Sequence, residues 1–164
     1  MSQRSLSPIT LELGFRERDR ARLVDLLRAY ETGLGIPLTF QDFDAELAAL
    51  PGDYVPPGGE MILARAPPNE DLVGCVAVRA MPGHGGVCEM KRLYVTPAAR
   101  GTGLGRRLAV AAMEAGHRLG YARMCLDTLP TLHEAHALYD SLGFRRMGTA
   151  GTDPMVLLFE RDLP

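Results

Sequence analysis

Tryptophan is absent from this 164-residue chain, lysine occurs once among eighteen basic residues, and cysteine occurs three times. Cys75, Cys88 and Cys125 lie inside apolar runs with no Cys-x-x-Cys spacing. That pattern argues against a disulfide framework and a zinc site, and it fits a reducing, cytoplasmic setting. No stretch nears the roughly 18 consecutive apolar residues of a membrane helix, and Met1 to Pro8 carries no continuous apolar leader segment. Twenty acidic against eighteen basic side chains leave a net charge of −2. No overall field is present to gather nucleic acid or anionic lipid, so neither partner is expected. Internal repeats and low-complexity tracts are also missing. What is present is 46% hydrophobic and 23% charged residues, an ordinary globular usage that excludes intrinsic disorder. The length predicts one compact domain over residues 1–164 with a core that needs no staples.

Periodicity divides the chain. Ile9 to Leu13 alternates as a half-buried strand. From Glu17 onward Leu23, Leu27, Tyr30 and Leu34 recur at helical spacing, with Gly33 or Gly35 to stop the helix and the series Arg16 to Arg28 on its wet face. Phe43, Leu47 and Leu50 predict a shorter second helix. Pro51 to Gly59 is a loop rich in proline and glycine, long enough to serve as a substrate lid. Met61 to Ala66, Leu72 to Met81 and Val87 to Val95 read as strands joined by turns at Pro67–Glu70 and Pro82–Gly86. Leu104, Leu108, Ala111, Ala112, Ala115 and Leu119 trace one face of a helix that Gly120 can cap, and a strand over Arg123–Asp127 completes a crossover unit. Thr131-Leu-His-Glu134 matches the capping box, so a helix is predicted from Leu132, burying Ala135, Leu138, Tyr139 and Leu142 and ending at Gly143. Met155 to Phe159 reads as the last strand. The composite is a mixed α/β sheet.

The sharpest motif is Arg100-Gly-Thr-Gly-Leu-Gly105, between a strand and a helix. Successive small residues there let backbone amides turn inward around an anion, and the helix start adds unpaired N–H groups. The same glycines equally fit a tight turn that only relieves strain. Arg106 stands where a dinucleotide fingerprint would place its third glycine, and no Gly-Lys-Ser/Thr occurs for a triphosphate loop. The spacing Arg100-x-x-Gly103-x-Gly105 resembles the acetyl-CoA pyrophosphate motif of the GCN5-related N-acetyltransferase (GNAT) family. Glu89-Met-Lys-Arg-Leu-Tyr-Val95 before it and Ala135-His-Ala-Leu-Tyr-Asp-Ser-Leu-Gly-Phe144 after it resemble the family in order and spacing, over at least Leu72 to Phe144.

The resemblance implies an α/β (α+β) fold with a mixed, largely antiparallel sheet flanked by helices, and acetyl-CoA as co-substrate. The strand Leu93, Tyr94, Val95 would run along the pantetheine arm, bonding it through the backbone of Leu93 and Val95. The loop Arg100, Gly101, Thr102, Gly103, Leu104, Gly105 would hold the pyrophosphate, with Arg106 assisting. Many relatives carry Asn seven residues before the tyrosine of the last helix, where this chain has Leu132. Amide formation from a thioester needs a neutral amine, and an alkyl ammonium has a pKa of about 10.4, so a base must remove its proton. Glu89 is the expected base. By simple alternation it shares a face with Lys91, Leu93 and Val95, a register that a bulge of the family's kind would shift. Tyr139 is the expected acid for the departing thiolate. Cys88 and Cys125 read as core residues. His84, His117, His133 and His136 lack partners at metal-ligand spacing, so no metal is expected, and His133 and His136 read as solvated.

The expectation is an N-acetyltransferase acting by direct attack of a primary amine, either a small molecule or a protein N-terminus. Two other readings remain open: a non-catalytic acyl-CoA-binding regulatory domain, and a nucleotide-binding module. For oligomeric state, a homodimer is the commonest outcome.

Overall fold

A computed structural model describes residues 8–164, and the Met1–Ser7 part of the stretch read as lacking a leader lies outside it. Eleven elements follow in chain order: β1 (Thr10–Leu13), α1 (Arg20–Leu34), α2 (Phe43–Ala49), β2 (Glu60–Ala66), β3 (Asp71–Ala80), β4 (Val87–Val95), α3 (Leu104–Arg118), β5 (Arg123–Thr128), α4 (His133–Ser141), β6 (Arg145–Ala150) and β7 (Val156–Asp162). The strands form one sheet in the order β1-β2-β3-β4-β5-β7-β6. Every pairing is antiparallel except β4 with β5, which are joined by the α3 crossover. The mixed, largely antiparallel sheet read from the sequence is therefore the fold observed. Among the described residues no helix is long and apolar enough to cross a membrane.

Strands β2 and β3 are buried on both faces, which is why they read as near-continuous apolar runs. Ile62, Ala64, Val76 and Val78 face α3, where Leu104, Leu108 and Ala112 meet them; Met61, Leu63, Cys75 and Ala77 face α1 and α2 through Leu23, Leu27, Phe43 and Leu47. Arg16, Arg18, Arg22 and Arg28 stay exposed on the outside of the first helical segment. Left-handed glycines follow α1 at Gly35 and α4 at Gly143, and Gly120 follows α3.

Several expectations need correction. The capping box does not form: α4 has Leu132 as its N-cap and no side-chain cap, because a turn through Thr131 delays the helix by one residue. Glu134 therefore falls at the second helical position, out of register for a reciprocal bond. His136 is not solvated. It is buried, with Nε2 2.9 Å from the Leu129 carbonyl, whereas His133 is exposed. Strand β6 escaped the sequence reading because all six of its residues are exposed and offer no apolar alternation. The Pro51–Gly59 loop is no lid. Its own Tyr54 is buried and donates a hydrogen bond to Glu46 at 2.9 Å, Tyr121 donates to the Gly58 carbonyl at 2.6 Å, and none of the loop lines a cleft described below.

That loop closes through Gly59, where a Cβ would lie 2.1 Å from the Asp53 carbonyl oxygen and 2.5 Å from that of Val78. Both obstacles are backbone, so neither yields cheaply. Gly59→Ala is expected to lower stability by about 2 kcal/mol or more. Urea unfolding checks it: the midpoint should fall with the slope unchanged, and an unaltered midpoint would show that the loop is slack.

Candidate active site

Strands β4 and β5 pair only over Val87–Glu89 against Arg123–Cys125 and then part. A bulge causes the rest. Opposite Cys75 to Ala77, β4 runs from Tyr94 to Lys91, one residue longer, and Arg92 sits in the left-handed region at φ 60°. Alternation alone would put Glu89, Lys91, Leu93 and Val95 on one face. The bulge splits that set: Leu93 and Val95 turn toward α3 and α4, while Tyr94 packs among the α1–α2 residues.

Arg92 holds the bulge in place. Its side chain is 2% exposed and makes a fork to Glu46 on α2, Nε to Oε2 at 2.8 Å and Nη2 to Oε1 at 3.0 Å. Nη1 donates to Gln41 Oε1 at 2.7 Å, and the guanidinium lies 4.8 Å from the Phe43 ring centre. Burial works against its charge, but the hydrogen bonds and charge of Glu46 overcome this and keep it firmly protonated.

The parting of β4 from β5 opens a groove of about 750 Å³. Leu93, Tyr94 and Val95 line it from the strand, Arg100, Gly101, Gly103, Leu104 and Gly105 from the loop, and Thr131 to Ala135 from the approach to α4. Gly101 and Gly103 both stand at φ 79°, a conformation only glycine adopts freely. After Arg100, the next backbone N–H to find a protein carbonyl is that of Arg107. Six consecutive amides, from Gly101 to Arg106, thus have no backbone acceptor among the described residues, at the positive end of α3. Such a run of amides can hold an anion. Arg100 leans on the Val95 carbonyl at 3.1 Å. The side chains of two expected ligands are engaged elsewhere: the Thr102 hydroxyl donates to the Ala99 carbonyl at 2.6 Å, and Arg106 donates to Ser141 at 2.9 Å. Leu132 lines the groove where a polar contact was missing from the motif, giving that wall an apolar side chain.

A narrower cavity of about 90 Å³ continues from the groove, sharing Tyr30, Leu34, Leu93, Leu132 and Ala135 with it. Its polar lining is Tyr30, Gln41, Lys91, Arg92, Asp127, Thr128 and Tyr139. Tyr139 is 6% exposed, and burial pushes its hydroxyl well above the ordinary phenol range, so it is protonated at neutral pH. Glu89 does not line the cavity; its carboxylate lies 3.6 Å from Arg79 Nη2 and 3.8 Å from Lys91 Nζ. Lys91 and Asp127, which the sequence reading passed over as site residues, do line it. The signal available was that Lys91 is the chain's sole lysine, set in a strand beside the expected base. The thiols of Cys75 and Cys88 are pushed up to about 12 by burial, as suits core residues and not acyl carriers. Among the described residues no group of three or more His, Cys, Asp or Glu side chains is placed to hold a metal.

Comparison with known proteins places these features in context. The family model described as acetyltransferase (GNAT) family matches residues 21–144. An uncharacterized N-acetyltransferase of Schizosaccharomyces pombe is 47% identical over 120 residues, which is 73% of this chain and 72% of that protein. A GNAT-family acetyltransferase structure from Staphylococcus aureus superposes with a TM-score of 0.79 at 15% identity, covering 94% of this chain and all of that one. A Salmonella typhimurium acetyltransferase solved with acetyl-CoA superposes at 0.70 with 17% identity, covering 96% and 95% of the two chains.

The Arg92–Glu46 fork predicts its own cost of removal. Arg92→Met leaves Glu46 largely buried without its partner and should destabilise by about 3 kcal/mol or more. Arg92→Met with Glu46→Gln should recover much of that loss. Denaturant unfolding of the double-mutant cycle checks the coupling; additive losses would show that the two side chains act independently.

Proposed function

This chain belongs to the acetyltransferase (GNAT) family, and from that membership we propose that it transfers an acetyl group from acetyl-CoA to a small primary amine by direct attack. The observation that carries the reading is the run of six amides at the start of α3 with no backbone acceptor among the described residues, opening onto a groove that ends in a small polar cavity. When bound, acetyl-CoA supplies the thioester: the C–N bond forms as the C–S bond breaks. The amides of Gly101 to Arg106 and the Arg100 guanidinium bind the pyrophosphate. The β5-facing edge of β4 beyond Glu89 has no strand ladder, which leaves the backbone of Leu93 and Val95 to orient the pantetheine arm.

The remaining work is proton transfer. Asp127 lines the cavity and takes the proton from the attacking amine, whereas Glu89, the base expected from the sequence, does not line it. Tyr139 holds a proton on Oη and passes it to the departing thiolate. Apolar Leu132 and Leu34 beside the reacting centre keep bulk water out.

Each role has its test. Gly103→Val forces a branched side chain into φ 79° and should weaken acetyl-CoA binding by roughly tenfold or more in calorimetry. Unchanged affinity in a folded variant would remove the cradle. Asp127→Asn should lower turnover by roughly 10²–10⁴ while Glu89→Gln costs far less; the reverse order would return the base to Glu89. Tyr139→Phe should slow turnover and spare acetyl-CoA affinity, with the loss shrinking for a donor whose thiol is more acidic. Full activity with chemistry rate-limiting would rule out the acid role.

A further inference from the structure

Lys91 is the sole lysine of the chain, and its side chain is only 7% exposed. A buried ammonium ordinarily makes short charge-assisted bonds of about 2.7–2.9 Å. Lys91 has none. Its nearest acceptor, Gln41 Oε1, stands at 3.5 Å and already takes the 2.7 Å bond from Arg92. Glu89 and Asp127 each lie 3.8 Å away, and Glu89 is shared with Arg79. Burial pulls the Lys91 amine below its ordinary range, with Asp127 the chief opposing charge. Among the described residues the Lys91 ammonium, which lines the small cavity, thus has no acceptor closer than 3.5 Å, an arrangement that costs free energy until an anion arrives.

We propose that Lys91 receives a carboxylate of the acceptor, which makes the acceptor a small amino acid. This deepens the function proposed above and rests on it. The cavity can serve only one anionic charge, because both oxygens of Glu46 and that of Gln41 hold the Arg92 fork. A doubly charged phosphate is therefore disfavoured against a monoanion. A lone carboxylate would also meet Asp127, 30% exposed across the same gap. An amino acid answers both groups, its carboxylate turned to Lys91 and its amine to Asp127. The cavity of about 90 Å³ is several times what one water needs, about 10–15 Å³, and too small for a long side chain.

The test compares acids with their amides: glycine with glycinamide, and β-alanine with β-alaninamide, each with acetyl-CoA and read by thiol release. The acids should show a kcat/KM roughly tenfold or more above the amides, although the amides carry the less basic amine. Lys91→Met should bring that ratio to near one, and Lys91→Arg should keep part of it. Equal or preferred amides in the parent protein, or a Met variant that retains the ratio, would overturn the proposal; the parent ratio needs no variant to fold. Calorimetric titration of β-alanine and β-alaninamide into the CoA-saturated protein decides the same point without turnover. If no amine releases thiol, the proposed reaction fails, and this titration still tells whether Lys91 holds a carboxylate.

Discussion

The fork between Arg92 and Glu46 is the interaction on which the cleft depends. A non-glycine residue at φ 60° costs of order 1–3 kcal/mol, and it persists only where its surroundings impose it. Here two hydrogen bonds to one carboxylate, a third to Gln41 and the face of Phe43 impose it. Arginine suits this position because its planar fork matches a carboxylate and its charge survives burial. The fork also joins two layers. Glu46 belongs to α2, and Tyr54 of the proline-rich loop donates to the same carboxylate at 2.9 Å. Helix α2, which itself lines neither the groove nor the small cavity, thereby sets the shape of the strand that borders them.

From the bulge follows the distribution of charge. Before it, Glu89 and Lys91 point toward the α1–α2 side, so that Arg79, Glu89, Lys91 and Asp127 form a row of alternating sign across β3, β4 and β5. None of these separations is below 3.6 Å, so each pair attracts without closing a tight bond. After the bulge, Leu93 and Val95 present an apolar strand to the groove. One extra residue in β4 therefore divides the cleft into a polar end and a smoother, apolar channel. Without it, alternation would carry charge and apolar residues along a common face.

How much of this could be read from the sequence depended on whether a residue's role was local. Gly101 and Gly103 were legible because positive φ is a demand on the single residue. Strands β2 and β3 were legible as near-continuous apolar runs. The bulge was legible only through the family resemblance, since its cause is a partner 46 residues away, Glu46. The placement of Glu89 with Leu93 and Val95 went wrong for that reason, and Lys91 and Asp127 were passed over with it. Strand β6 hid because it buries nothing, and His136 hid because the Leu129 carbonyl that satisfies it comes from the preceding turn. The pattern of the core is written in composition; pairings made by tertiary geometry leave little trace along the chain.

The acid role proposed for Tyr139 raises a question of matching, because burial lifts its hydroxyl far above the range of an aqueous thiol and a poor acid gives up its proton slowly. The sheet itself supplies a calibration. Cys75 and Cys88, buried in the same layers, are pushed up to about 12, chiefly by loss of water. In the proposed reaction a thiolate released beside buried Tyr139 loses water too, so its affinity for a proton rises alongside that of the phenol. The gap between donor and acceptor then stays closer than their values in water suggest. The apolar contact of Leu132, where a polar residue would draw in water, preserves this balance. Dryness that would disable Tyr139 toward a solvated base is thus what fits it to a leaving group expelled beside it.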